Sequence, residues 1–238
     1  MQPWRIARFL IPPGRDASYV AAMEVILDTY AEPADPAVPL VCFDESGKAL
    51  QADARDPLPG RPGDPAREDP ESVRHGSANL FLAYAPHLGW RQVTVTAQRT
   101  AVDWARAMRD LVDGPFRDAP KLIVVLDNLN THRLSSLYTA FPAPEAHRLG
   151  RRLDLRFTPK HGSWLNMAEL ELSVLARQCL DRRIPDRATL ATEVAAWTDA
   201  RNAVAEPARW TFTVEDARTR LTHLYPLPLC DSEGLTVH

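Results

Sequence analysis

The chain reads as one mixed α/β domain with a helical C-terminal layer. Three observations predict it. Residues 121–126 (KLIVVL) hold an unbroken apolar, β-branched run, as in a strand covered on both faces. In residues 91–97, Val93, Val95 and Ala97 alternate with Gln92, Thr94 and Thr96, the period of a half-buried strand. From residue 101 onward, helical and strand-like segments alternate, as βα units do.

The elements follow in order. Residues 18–30 place Val20, Met23, Ile26 and Leu27 on one helical face. Pro33, Pro36 and Pro39 make an irregular bridge, and Leu40–Phe43 is too short for a helix and suits a buried strand. Residues 51–71 carry five prolines and many charges and read as an extended loop. Asn79–Ala85 and Arg91–Ala97 are strands joined by Pro86-His87-Leu88-Gly89. A helix over 101–112 turns Val102, Ala105, Met108 and Leu111/Val112 inward. After the strand 122–126 come short helices at 133–141 and 144–149, then a strand at Leu153–Phe157 stopped by Pro159. Helices at 167–180, 187–204 and 214–224 close the chain. The second aligns Leu190, Val194, Trp197 and Val204, and the third has Thr213 as its N-cap.

Composition narrows the function. The 238 residues suffice for one large core, and 25% charge with 45% hydrophobic residues is ordinary for a globular protein. No apolar run reaches membrane-spanning length, and Met1–Leu10 lacks a signal-peptide core. Cys42, Cys179 and Cys230 form neither a disulfide framework nor a zinc spacing, so a reducing cytoplasm is expected. The seven histidines show no paired zinc spacing, and there is no phosphate-binding, dinucleotide or Gly-x-Ser-x-Gly motif. The net charge of −3 removes any bulk electrostatic argument for nucleic acid. Local charge differs: residues 44–71 are acidic, whereas 147–160 hold Arg148, Arg151, Arg152, Arg156 and Lys160 against Asp154 alone. Such a strip suits a DNA backbone, although short runs are more often solvated faces.

Two carboxylates, Asp44 and Asp127, follow buried strands, where ligands bind in open α/β sheets. Each alone is more often a turn-initiating aspartate. Glu169 opens the helix at 167, three residues after the candidate N-cap Asn166; the plain structural alternative is a capping box between them. Glu171 lies roughly 200° round the helix from Glu169, so only one of the two can enter a shared site. Three such acids suit two Mg²⁺ ions, with Mn²⁺ as a substitute, because these hard cations take oxygen ligands.

The local motifs around these acids are Cys42-Phe-Asp-Glu-Ser46, Val125-Leu-Asp-Asn-Leu-Asn-Thr-His132 and Thr158-Pro-Lys-His-Gly-Ser-Trp-Leu-Asn-Met-Ala-Glu169. They resemble the three catalytic blocks of DDE transposases, and most closely the insertion-sequence 630 branch of the Tc1/mariner superfamily. The resemblance extends to Asp181–Ile184, Trp197–Asn202, Trp210–Phe212 and Asp216–Arg218, and departs from the family pattern at Asp69–Gly76. It implies a ribonuclease H-like mixed sheet flanked by helices, with Asp44, Asp127 and Glu169 as the catalytic, metal-binding triad. Asn128, His132, Lys160, His161, Trp164 and Asn166 would support that triad or face DNA; for Trp164 a core position is the stronger expectation.

By the same resemblance the chain divides into a helical lead-in (1–38), a catalytic core (39–180) and a helical extension of the same domain (181–238). The expected partners are double-stranded DNA, as transposon ends and target, and further copies in a homodimer or higher synaptic complex. The family's helix-turn-helix region has no room before Asp44, so a truncated copy or a separate helix-turn-helix subunit is expected. The setting would be the bacterial cytoplasm, at the nucleoid. Two rivals stay open: a stand-alone ribonuclease H-like nuclease, and a non-catalytic DNA- or partner-binding remnant.

Overall fold

The computed structural model describes residues 14–55, 60–63 and 69–227. In chain order its helices and strands are α1 (Ala17–Ala31), β1 (Leu40–Asp53), β2 (Ser72–Ala85), β3 (Trp90–Thr96), α2 (Ala101–Asp113), β4 (Leu122–Leu126) and α3 (Leu134–Ala140). Then follow α4 (Ala143–Arg152), β5 (Leu153–Phe157), α5 (Met167–Leu175), α6 (Arg187–Val204) and α7 (Val214–Arg220). The five strands form one mixed sheet in the order β3-β2-β1-β4-β5. β1, β2 and β3 pair antiparallel, while β1, β4 and β5 run parallel. This is the mixed α/β arrangement that the sequence predicts.

The two-residue strand period sorts side chains between two cores. Leu40 and Cys42 of β1, with Ile123 and Val125 of β4, pack with α1, α5, α6 and α7 on one face. Val41 and Phe43, with Leu122, Val124 and Leu126, pack with α2, α3 and α4 on the other. β4 is buried along its whole length because both cores use it. α1 is part of this cover: the Tyr30 hydroxyl donates to the Leu165 carbonyl at 2.7 Å.

Caps fix the helix starts. Asp16 accepts from the amides of Ser18 and Tyr19, and reciprocal capping boxes join Thr100 to Asp103 and Thr213 to Asp216. α5 continues as a π-helical turn, Ala176–Leu180, so the expected helix 167–180 changes its winding halfway.

Three expectations need correction. β1 does not stop at Phe43, and residues 51–71 are not wholly loop: β1 and β2 extend as a two-stranded ribbon paired as far as Asp53 and Ser72. The ribbon has little to bury, so its sequence is polar and lacks the run that marks a core strand. Its free edge is covered by the segment before α6, where the Ile184 carbonyl accepts from the Gln51 amide at 2.8 Å. Arg183 donates there to Asp53 and to the carbonyls of Pro70 and Glu71. Val204 also leaves its predicted inward face and is 71% exposed, at the last residue of α6.

Candidate active site

β1 and β4 are hydrogen-bonded only as far as the pair Cys42–Val125 and then part. Asp44 lies two residues beyond this fork, still paired to β2 opposite Leu82. Asp127 lies two residues beyond it on the other side, just after β4. By strand parity both belong to the face covered by α5. The sequence expectation that Asp44 stands past its strand is therefore true only of the β4 side.

α5 brings Glu169 to the same end of the sheet. Asn166 fixes this geometry: its side-chain amide donates to the Phe43 carbonyl at 2.9 Å, and its side-chain oxygen accepts from the Ala168 amide at 3.1 Å. The helix start is thereby pinned to β1 beside Asp44. The capping box does not form, because the Asn166 amide donates to the Ser163 carbonyl instead. Glu169 is exposed, and among the described residues no hydrogen-bond or ion-pair partner holds its carboxylate. Glu171 turns the opposite way, into a buried ion cluster with Arg91 and Arg201.

Asp44 is 8% exposed. Burial raises its carboxyl to about 7; its own bond from the Glu45 amide opposes this, and the charges of Glu169 and Asp127 add to it. Asp44 therefore feels the charge of both other acids. Among the described residues no three His, Cys, Asp or Glu side chains converge on one point. Mg²⁺ and Mn²⁺ do not need such a cage, since they bind through one or two carboxylates and complete their shell with water and substrate phosphate. The donor set fits these ions: all oxygens, and one buried carboxyl that a nearby dication would favour as the anion.

A carboxyl whose folded value is raised carries extra protons in the folded state. Stability then falls as pH climbs from about 4 to about 7. Asp44→Asn removes this penalty. In chelator at pH 8 the variant is expected to be up to about 4 kcal/mol more stable, with the gain gone below pH 4. Urea unfolding at the two pH values measures it.

The remaining predicted residues separate clearly. Asn128, Lys160 and His161 are exposed. His132 is fully buried, which excludes it from facing DNA; it packs edge-on against Phe43 and beside Trp104. Its Nδ1 lies 2.6 Å from Asp127 Oδ1, while the N–H aims at the Asp127 carbonyl, 3.2 Å away, so the carboxylate contact is one of charge. Burial lowers the imidazole, but Asp127 and Glu45 outweigh it and bring it to about 9. Trp164 stacks on Trp210 and donates to the Tyr19 hydroxyl, so it anchors the core and is not a base-stacking platform. Of the basic strip, Arg148 is bound bidentately by Asp113, Arg152 by the carbonyls of Phe116, Arg117 and Ala119, and Arg156 by Glu32 and Asp154. Arg148, Arg151 and Lys160 stay exposed, but of the five only Arg151 and Lys160 have no such partner among the described residues, so most of the strip is tied down within the fold.

His161 has φ 65°, in the left-handed region that glycine prefers. It occupies a turn closed by the Gly162 amide donating to the Pro159 carbonyl at 2.8 Å. A Cβ on Gly162 would come within 2.6 Å of Pro159 Cγ. Relief of the strain, roughly 1–2 kcal/mol, exceeds the unfolded-state entropy that glycine adds, roughly 0.4–1 kcal/mol. His161→Gly is thus expected to raise stability by about 0.5–1 kcal/mol, seen as a later urea midpoint.

Sequence reasoning missed Glu45. Its side chain is 6% exposed and meets His132 Nε2 at 3.3 Å and Arg99 at 3.7 Å. The only sequence signal was an acid in a strand directly after Asp44.

Comparison with known proteins adds the following. A family model described as DDE superfamily endonuclease matches residues 39–191. No curated protein matches the chain. Among solved structures, the Mos1 mariner paired end complex with Mn is similar at 14% identity and a TM-score of 0.55, covering 82% of this chain and 59% of that one. The Mos1 Strand Transfer Complex gives 14% identity and a TM-score of 0.55, with 82% and 58% covered. The mariner Mos1 paired end complex with Mg gives 15% and 0.53, with 94% and 67% covered. These likenesses show a shared ribonuclease H-like fold. The chain spans about 59% of the length of the first of these neighbours.

Proposed function

The chain belongs to the DDE superfamily of endonucleases, and from that premise we propose that it is the catalytic part of an insertion-sequence 630 type transposase. It cuts DNA at element ends and joins the freed 3′-hydroxyl to target DNA. One observation carries the reading: Asp44 and Asp127 flank the fork between β1 and β4 on the face to which α5 brings Glu169.

In this reading Asp44, Asp127 and Glu169 hold two Mg²⁺ ions. When bound, such ions supply activation of the attacking oxygen and neutralisation of charge on the leaving oxygen of a phosphodiester. The chain's own residues do the positioning. Asn166 ties the start of α5 to β1, so Glu169 keeps its place relative to Asp44. Burial of Asp44 makes that carboxyl an avid partner for positive charge. The open Glu169 side meets solvent, where a scissile phosphate can enter. Water serves as nucleophile for cutting and the 3′-hydroxyl for joining; the in-line displacement is otherwise the same.

The partners in this reading are two double-stranded DNAs, further copies in a synaptic assembly and a helix-turn-helix unit that reads the element end. The bacterial nucleoid is its setting. Among the described residues no helix is long and apolar enough to cross a membrane. The test is strand joining: duplexes ending in the element's terminal repeat are incubated with supercoiled plasmid and Mg²⁺ or Mn²⁺. Joined product supports the reading. Nicking without joining supports a stand-alone nuclease, and neither supports a binding remnant.

A further inference from the structure

We propose that Glu45 is a positioning residue for Asp127, acting through His132, which it holds in the fork between β1 and β4. The inference rests on the metal-dependent reading of the carboxylate site.

The argument starts from strand parity. Asp44 faces α5, so its neighbour Glu45 faces the opposite core, with Phe43 and Trp104. A carboxylate 6% exposed on an otherwise apolar face is costly unless paired. Its near partner is His132 Nε2 at 3.3 Å; Arg99, 59% exposed, stands farther off at 3.7 Å. His132 comes from the loop after β4 and is itself fully buried. It enters where β1 and β4 cease to pair, between Phe43 and Trp104, and its other nitrogen contacts Asp127, 2.6 Å from Oδ1.

The result is a line of contacts, Glu45 to His132 to Asp127, that crosses from one face of the sheet to the other. Asp127 needs such a support. It lies beyond the last β4 residue, its side chain is 38% exposed, and among the described residues His132 is the group that grips its carboxylate. A ring gripped at one nitrogen only can rotate about its side-chain bonds; gripped at both, it is fixed. Supporting groups of this kind commonly alter metal affinity by roughly 10–100-fold when removed.

The probe is Mn²⁺ alone, with free ion counted by electron paramagnetic resonance during titration of the full chain, without DNA. Wild type is expected to bind Mn²⁺ and Asp127→Ala to lose it. Glu45→Gln, which keeps size and one acceptor but not the charge, is expected to weaken binding about tenfold or more. In a His132→Asn background the same substitution is expected to add nothing, because the line is already cut. Glu45→Asp keeps the charge, shortens the reach and provides the reading if Glu45→Gln does not fold; it too is expected to weaken binding. Wild-type affinity in both Glu45 variants overturns the inference. So does an equal loss with and without His132, which would mean that the Glu45 charge acts on the ion directly. A lower unfolding midpoint with unchanged affinity would mark Glu45 as merely structural. Absence of Mn²⁺ binding in wild type would instead overturn the metal reading itself, and the inference with it.

Discussion

Asp127→Asn is expected to abolish Mn²⁺-dependent nicking of supercoiled DNA, with a rate loss of at least about 10³-fold. The magnitude follows from the several kcal/mol of charge stabilisation that a metal site supplies to a phosphoryl displacement, each 1.36 kcal/mol being tenfold in rate. Asparagine keeps the shape of the side chain and an oxygen near His132, so the fold is expected to survive. Circular dichroism and the unfolding midpoint check that, and the nicking assay then reads chemistry alone. The alanine variant is less informative, since it also leaves the buried His132 without its anionic neighbour. An Asp127→Asn protein that nicks at the wild-type rate would remove this carboxylate from the reaction. Equal losses at Asp44→Asn and Glu169→Gln are expected, because residues that act as one unit fail together.

How far the sequence could be read depended on where each residue's environment comes from. β4 was legible because its five residues are buried by both cores, so an uninterrupted apolar run is the only sequence that fits. α6 was legible in its bounds because Asp186 caps it and Leu190 and Val194 keep the helical period. The ribbon half of β1 was not, since among its residues from Gly47 to Asp53 only Leu50 reaches the core, too few to set a strand period, and Glu45, Lys48 and Gly47 look like a turn. Asp44, Asp127 and Glu169 were singled out by local motifs, with strand ends as the physical rationale for the two aspartates. The buried pairings of Glu45 and Glu171 were not legible for one shared reason: each is buried by a partner distant in the chain, 87 residues for Glu45 with His132 and 30 for Glu171 with Arg201. No local periodicity reports such a pairing. The basic strip misled for the converse reason, since its neighbours in sequence diverge in space to Asp113, Glu32 and a set of carbonyls.

The cluster around Glu171 carries the largest expected effect on stability. Glu171 Oε1 lies 2.8 Å from Arg91 Nε, with the two side chains 7% and 2% exposed. Arg201 donates to the same carboxylate from α6 at 3.1 Å. The neighbouring Asn202 accepts from the Arg91 amide at 2.9 Å and donates to its carbonyl at 2.7 Å, closing the outer edge of β3. The Trp197–Asn202 motif thus serves to join α6 to β3 and α5. Glu171→Ala would leave the Arg91 guanidinium buried with no counter-charge, at a cost of about 3–5 kcal/mol. Chemical denaturation is the measurement, and a loss under 1 kcal/mol would mean that the cluster relaxes into water. Replacing both partners, Arg91→Met with Glu171→Leu, is expected to recover most of the loss, because an apolar pair avoids the desolvation of two ions. The double variant also separates stability from chemistry. Glu169 sits two residues before Glu171 on α5, whose start is held independently by Asn166. If the cluster serves only to pack α5 against the sheet, the double variant will nick DNA as wild type does.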